Sequence, residues 1–254
     1  MTGFVEIDAV TRRFGGLTAV DAVSGRIEEG ELVGLIGPNG AGKTTLFNVM
    51  TGFTPPTSGA VRFRGTTISG LAPWRVARLG VGRTFQNLRI FPNMTVFDNV
   101  SVGAIGRQGH NLVEALLRGP AGQARSTRIT EATWRALERT GLAAQADDLA
   151  ANLSYGRRKY LEIARALATD PRLLVLDEPA AGLNDSETAE LARFIQGLNG
   201  GGITVLLVEH DMALVMGICR RVMVLASGRK ISDAPPDVVK ADPAVIEAYL
   251  GVDA

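Results

Sequence analysis

The sequence predicts an α/β fold built on a mostly parallel sheet. Three observations carry this. Glu31 to Ile36 is a short apolar run that leads into a glycine-rich turn and then a helical stretch from Lys43 to Met50. Leu173 to Leu176 is a second apolar run, ending in the acids Asp177 and Glu178. Two more runs, Ile203 to Val208 and Val222 to Leu225, come after a stretch of helical spacing at Ser186 to Leu198. Alternation of strand, helix and strand gives parallel strands with helices on the faces of the sheet.

The remaining elements follow along the chain. Val5, Ile7 and Ala9 alternate with Glu6 and Asp8, the period of a half-exposed strand. Arg26 to Glu28 reads as another strand, closed by the turn Glu29-Gly30. Gly52 to Gly59, rich in Thr, Pro and Gly, is a turn region, and Val61 to Phe63 a short strand. From about Leu88 to Ala168 the pattern becomes helical, with apolar spacing in Leu112 to Leu117 and Ala132 to Leu142. Gly103 to Gly109 and Gly119 to Gly122 are expected to break it. Residues 88–168 are therefore a candidate helical subdomain inserted in one domain covering 1–254. Ser227-Gly228 reads as a hairpin turn and Pro235 to Leu250 as helical, and 229–254 is expected to form a helical tail.

Composition narrows the function. A chain of 254 residues with 46% apolar side chains is long enough for one large domain and its core. The net charge of +1 argues against a bulk electrostatic partner, so nucleic acid is not expected. A short basic cluster such as Arg157-Arg158-Lys159 is expected to be a solvated helix face. Cys219 is the only cysteine, which excludes an intrachain disulfide and fits a reducing compartment. The start carries Glu6 and Asp8 and no basic segment, unlike a signal peptide. No apolar run approaches the roughly 20 residues of a membrane helix.

The chemistry begins at Gly37-Pro38-Asn39-Gly40-Ala41-Gly42-Lys43-Thr44, which matches G-x-x-x-x-G-K-[ST] at every fixed position between a buried strand and a helix. The glycines let the backbone curl so that N–H groups converge on a phosphate. The helix N-terminus adds partial positive charge. Lys43 reaches the β- and γ-phosphates, and the Thr44 hydroxyl is a Mg²⁺ ligand; Thr45 extends the binding segment. Asp177, at the carboxyl end of its strand, is expected to hold Mg²⁺ directly or through its water. Glu178 is placed to orient or deprotonate a water.

With these residues in order, the chain resembles the ATPase subunit of ABC transporters over essentially its whole length. Leu153-Ser154-Tyr155-Gly156-Arg157 resembles the family signature, usually Leu-Ser-Gly-Gly-Gln, with departures at Tyr155 and Arg157. The resemblance implies a P-loop NTPase core, an N-terminal antiparallel β subdomain and an inserted helical subdomain. It implies ATP and Mg²⁺ as ligands. It also implies that Ser154 and Gly156 touch the γ-phosphate of ATP held by a second ATPase subunit, alike or different. Gln86 falls at the glutamine loop that contacts Mg²⁺ and the water. His210 matches the switch histidine that bonds the γ-phosphate and supports Glu178. Phe14 matches the aromatic that stacks on adenine. Ala181-Gly182-Leu183-Asn184 corresponds to the D-loop, with Asn184 where many relatives carry Asp.

One phosphate loop and one signature per chain imply a head-to-tail pair of subunits. The work is then delivered to integral membrane subunits, with Arg89 to Met94 as part of the receiving surface. Arg83-Thr84-Phe85-Gln86-Asn87, Asn93-Met94-Thr95-Val96, Glu178 to Asn184, Glu209-His210-Asp211-Met212 and the ending Ala248-Tyr249-Leu250-Gly251 together resemble the longer ATPase subunit of branched-chain amino acid importers. A substrate-binding protein is an indirect partner, and the expected location is peripheral, on the cytoplasmic face of the inner membrane. Competing readings are the ATPase of a lipid or lipopolysaccharide exporter, a soluble non-transport ABC ATPase, and a regulatory module without turnover; intact Glu178 and His210 oppose the last.

Overall fold

The computed structural model describes residues 3–108 and 120–250. The chain divides into two compact units, residues 1–76 with 175–254, and residues 77–174. The strands in chain order are β1 Val5–Phe14, β2 Leu17–Ile27, β3 Leu32–Ile36, β4 Ser58–Phe63, β5 Thr66–Thr67, β6 Val81–Arg83, β7 Leu173–Asp177, β8 Thr204–Val208, β9 Arg221–Ala226 and β10 Arg229–Ala234.

In the first unit β3 pairs in parallel with β8 on one side and β9 on the other, within the order β10-β9-β3-β8-β7. Every residue of β3, β7 and β8 is buried. A strand covered on both faces must be apolar throughout, which is why these segments read as continuous runs rather than alternating ones. The second sheet of this unit is antiparallel, in the order β2-β1-β4-β5. Its strands are longer than the alternation suggested. β1 and β2 bend through register shifts near Ala9 and Ala22, which have φ of 44° and 48°. Bulges of this kind interrupt the period-2 signal and hide a long strand from a pattern search.

The expected helical tail is shortened in an instructive way. Residues 229–234, expected in a helical tail, form strand β10 paired with β9 across Ser227 and Gly228. Both turn residues have positive φ, 48° and 78°, the geometry that closes a two-residue hairpin and holds the following segment in the sheet. The tail beyond is two helices, Pro236–Ala241 and Pro243–Leu250, because Pro243 disfavours helical backbone at Asp242.

The second unit is helical, with Val96–Gln108, Pro120–Arg139 and Tyr155–Leu167 as its main helices. Its core includes Val100, Ala104, Leu137, Leu142, Leu161 and Ala164, all 2% exposed or less. Strand β6 also lies here, and the Leu173 N–H donates to the Gly80 carbonyl at 3.0 Å. The helical spacing read in Leu112 to Leu117 and the glycines at 109 and 119 fall outside the described residues. Gly103, Gly106 and Gly122 lie inside helices and do not break them. At Gly103 a Cβ would sit 2.1 Å from the Arg165 carbonyl oxygen, so this glycine permits close approach of two helices. The basic cluster is likewise not a solvated face. Lys159 is buried, and Arg158 donates to the carbonyls of Leu153 and Ala151 at 2.9 and 2.7 Å.

The two helical glycines therefore predict opposite outcomes. Gly103→Ala is expected to destabilise by about 1–3 kcal/mol through overpacking. Gly106→Ala, exposed and with open space around it, is expected to stabilise by up to about 1 kcal/mol through helix propensity. Urea unfolding of the two variants checks both signs.

Candidate functional site

The site of the first unit is built where β3, β7 and β8 end. Gly37 to Gly42 leave β3, and the backbone has φ of 152° at Gly37 and 99° at Gly42. A Cβ at Gly37 would lie 2.1 Å from the Leu225 carbonyl oxygen, and one at Gly42 would lie 2.4 Å from that of Ala19. Packing as well as φ therefore demands glycine at these two positions. Asn39, Gly40 and Thr44 are exposed, Pro38 and Thr45 half-buried, and Ala41 buried. Gly42 caps the helix Lys43–Met50 with no side-chain hydrogen bond. Ser154, Asn184 and Asp211, by contrast, each accept a backbone N–H at the start of their own helices. The first helix thus keeps its N-terminal donors for another acceptor, the arrangement that binds phosphate.

Lys43 is buried, and its Nζ donates to the carbonyls of Gly37 and Pro38 at 2.6 and 3.0 Å. The ammonium is held inside the curl by the loop itself. Burial pushes its pKa below the usual lysine value, and the carboxylates of Glu178 and Asp177 pull it back up. Asp177 is 5% exposed at the last position of β7. Glu178 follows at φ 46°, a left-handed backbone rare for a residue with a side chain. Its N–H donates to the Val208 carbonyl at 2.8 Å, which joins the ends of β7 and β8. His210, after β8, brings Nδ1 to 3.8 Å from Glu178 Oε2. Phe14 is 47% exposed, with the Arg12 guanidinium 4.5 Å from its ring centroid, so it is not a core aromatic.

The second unit carries the other expected residues. Gln86 is exposed in the loop after β6. The segment around it is firmly held: Arg83 and Arg89 flank the Phe85 ring at 4.4 and 4.5 Å, and the Phe85 N–H donates to Glu162 Oε1 at 3.1 Å. Asn99, 1% exposed, accepts from the Phe91 N–H and donates to the Phe91 and Met94 carbonyls. This leaves the Phe91 side chain 45% exposed instead of packed inside the unit. Ser154 is the N-cap of Tyr155–Leu167, accepting from the Arg157 N–H at 3.4 Å, a long bond. Gly156 lies in the first turn of that helix.

Against this geometry the comparisons are decisive. Residues 20–181 match the family model described as ABC transporter. The chain belongs to the ABC transporter family. Residues 229–254 of the cassette match a second model, described as branched-chain amino acid ATP-binding cassette transporter. The high-affinity branched-chain amino acid transport ATP-binding protein LivG of Salmonella typhimurium is 46% identical over 248 residues, 96% of each chain. The lipopolysaccharide export system ATP-binding protein LptB of Acidithiobacillus ferridurans is 34% identical, covering 99% of the cassette and 98% of that protein. Among solved structures, a nucleotide-free ATP-binding cassette from an ABC transporter aligns with a TM-score of 0.85 at 30% identity, covering 98% and 99% of the two chains. A dimeric bacterial ABC transporter cassette aligns with a TM-score of 0.75 at 26% identity, covering 91% and 98%. The cassette fold, with its antiparallel sheet and mixed α/β core, and its ATPase nature rest on these matches together with the sheets described above.

Two buried acids went unread in the sequence. Glu162 and Glu209 are 4% and 0% exposed. Burial raises both carboxyls, and backbone N–H groups oppose this: Phe85 and Arg89 for Glu162, and Ala180, His210 and Asp211 for Glu209. The available signal was an acid adjoining an apolar segment. Asn184 also gains a role: its side chain and that of Glu187 form a reciprocal cap with N–H···O distances of 3.0 Å. Asp in this place preserves the cap, which accounts for either residue being suitable.

Two outcomes follow. Asn184→Ala is expected to cost about 1 kcal/mol and Asn184→Asp close to nothing, read by thermal unfolding. The lowered pKa of Lys43 leaves more neutral amine at alkaline pH in the free cassette. A bound phosphate favours the ammonium, so nucleotide binding takes up protons. Calorimetry at alkaline pH in buffers of different ionisation heat is expected to register that uptake, and Lys43→Ala to abolish it.

Proposed function

We propose that the cassette is the ATP-hydrolysing subunit of an importer for branched-chain or other small hydrophobic amino acids. The observation that carries this is the 46% identity to LivG over nearly the full length, joined to the match of the tail at residues 229–254. The chain works as half of a pair with a second ATPase subunit, alike or different. The pair sits peripherally on the cytoplasmic face of the inner membrane, against integral membrane subunits that receive solute from a substrate-binding protein. No helix among the described residues is long and apolar enough to cross a membrane, so the translocation path belongs to those partners.

In this reading Gly37 to Thr45 cradle the phosphates of ATP and Phe14 stacks on adenine. Lys43 gives up its carbonyl partners for the β- and γ-phosphates, a better match for a buried cation. No group of three or more His, Cys, Asp or Glu among the described residues forms a metal cage by itself. The donors of the first unit, the Thr44 hydroxyl and the Asp177 carboxylate, instead fit Mg²⁺ that arrives with phosphate oxygens. When bound, Mg²⁺ supplies neutralisation of the charge on the β- and γ-phosphates.

Glu178 accepts a proton from the attacking water at its carboxylate, and His210 bonds the γ-phosphate and orients Glu178. Ser154 and Gly156 complete the site of the opposite subunit, the Ser154 hydroxyl exchanging its long capping bond for a phosphate oxygen. Hydrolysis removes the γ-phosphate that joins the two subunits, and the pair reopens. Arg89 to Met94, with Phe91 exposed, form part of the surface that passes this motion to a membrane subunit.

Glu178→Gln is expected to retain ATP binding, to lose at least about a hundredfold in turnover, and to accumulate an ATP-bound dimer in size-exclusion chromatography. Near-normal steady-state turnover would remove Glu178 from its role. Co-purification of the tagged cassette from membranes tests the transport assignment. Recovery of amino acid permease subunits supports it, and recovery of lipopolysaccharide export subunits would favour the reading suggested by the LptB relative.

A further inference from the structure

Glu209 follows the last residue of β8 and precedes His210, and the reaction as described gives it no part. Its carboxylate is wholly buried. Such a group is retained only when donors replace the water it has lost. The Ala180 N–H donates to Oε1 at 2.8 Å, and the His210 N–H donates to Oε2 at 3.1 Å. Ala180 lies two residues after Glu178, and His210 is the next residue after Glu209. One carboxylate therefore spans the turn that carries the proposed base and the turn that carries the proposed switch histidine.

The neighbouring geometry shows why such a span is needed. Glu178 is held at φ 46°, a conformation that persists only when its surroundings fix it. Its N–H reaches across to the Val208 carbonyl at 2.8 Å on one side of the turn. The Ala180 bond to Glu209 fixes the other side. His210 has its side chain 60% exposed, so little packing determines where Nδ1 points. Glu209 holds the histidine at two places: its Oε2 accepts from the His210 N–H and also lies 3.7 Å from Nδ1.

We infer that Glu209 is a positioning residue that clamps the Glu178 and His210 turns to each other and so sets the 3.8 Å approach of their side chains. It acts through them on hydrolysis and leaves nucleotide binding to the phosphate loop. This rests on the reading of Glu178 and His210 given above. Both oxygens matter, because each accepts from a different N–H. Glutamine has nearly the same shape but presents one acceptor and one donor, so one of the two amides is left facing another donor. Aspartate keeps both acceptors on a shorter side chain.

The test uses the full chain, with ATP turnover, affinity for a fluorescent ATP analogue, and backbone hydrogen exchange over residues 178–183 and 208–212. Glu209→Gln is expected to lower kcat by about ten- to a hundredfold while analogue affinity changes by less than about threefold. Exchange should quicken in both segments and stay unchanged in the helix Lys43–Met50. Glu209→Asp should recover part of the lost kcat. In a His210→Ala background, Glu209→Gln should cost less than it does in the parent, since one of the two side chains it acts through is gone.

A kcat within about twofold of the parent, or a loss of analogue affinity equal to the loss of turnover, overturns the inference. So does exchange that quickens in only one of the two segments. Normal turnover in Glu178→Gln would instead overturn the functional reading, and the exchange result would still report on the clamp, so the two failures are separable.

Discussion

The constraint on which the structure depends is complete burial of the parallel strands. β3, β7 and β8 have no exposed residue, so charge is tolerated only where a strand ends. Three strand ends accordingly gather Lys43 beyond β3, Asp177 and Glu178 at β7, and Glu209 and His210 at β8. The phosphate and water chemistry proposed for the first unit is crowded into that row by the same burial that holds the sheet together. Concentrating it there carries an electrostatic cost, visible in the opposite displacements of the Lys43 and Glu209 pKa values, both caused first by desolvation.

That cost is offset locally and not by surface ion pairs. Lys43 is satisfied by two carbonyls of its own loop, and Glu209 by backbone amides of neighbouring turns. The two solutions differ in permanence. In the proposed reaction the carbonyls give way to phosphate, whereas the amides keep Glu209 as their acceptor throughout.

Helix starts divide in a similar way. Asn184 and Asp211 satisfy the first turn of their helices with side chains, Ser154 does so through a long bond, and Gly42 has no side chain to offer. Of these four helix starts, the least satisfied is the one that follows the phosphate loop. In the second unit the analogous device is Glu162, whose carboxylate ties the Phe85 amide, one residue from Gln86, to the helix that begins after Ser154. Segments expected to sense ATP are thus joined to helices by buried acids.

Much of this was legible in the sequence, and the reason is specific. The loop Gly37 to Thr44, the acids after Leu176 and the buried runs are local patterns whose chemistry depends on residue type and spacing alone. Family resemblance then supplied Gln86, His210, Phe14 and Ser154, which spacing could not. The bulged length of β1 and β2, strand β10, the helical placement of Gly103 and the burial of Lys159 depended on what each segment meets in space. Gly103 is the clearest case: a helix breaker by propensity, it serves as a contact point because a carbonyl of another helix lies where its Cβ would be. Sequence by itself pointed to the residues proposed to bind phosphate and activate water. Only tertiary structure decided which buried acids hold those residues in place, because a hydrogen bond between Glu209 and Ala180 joins positions with no fixed spacing along the chain.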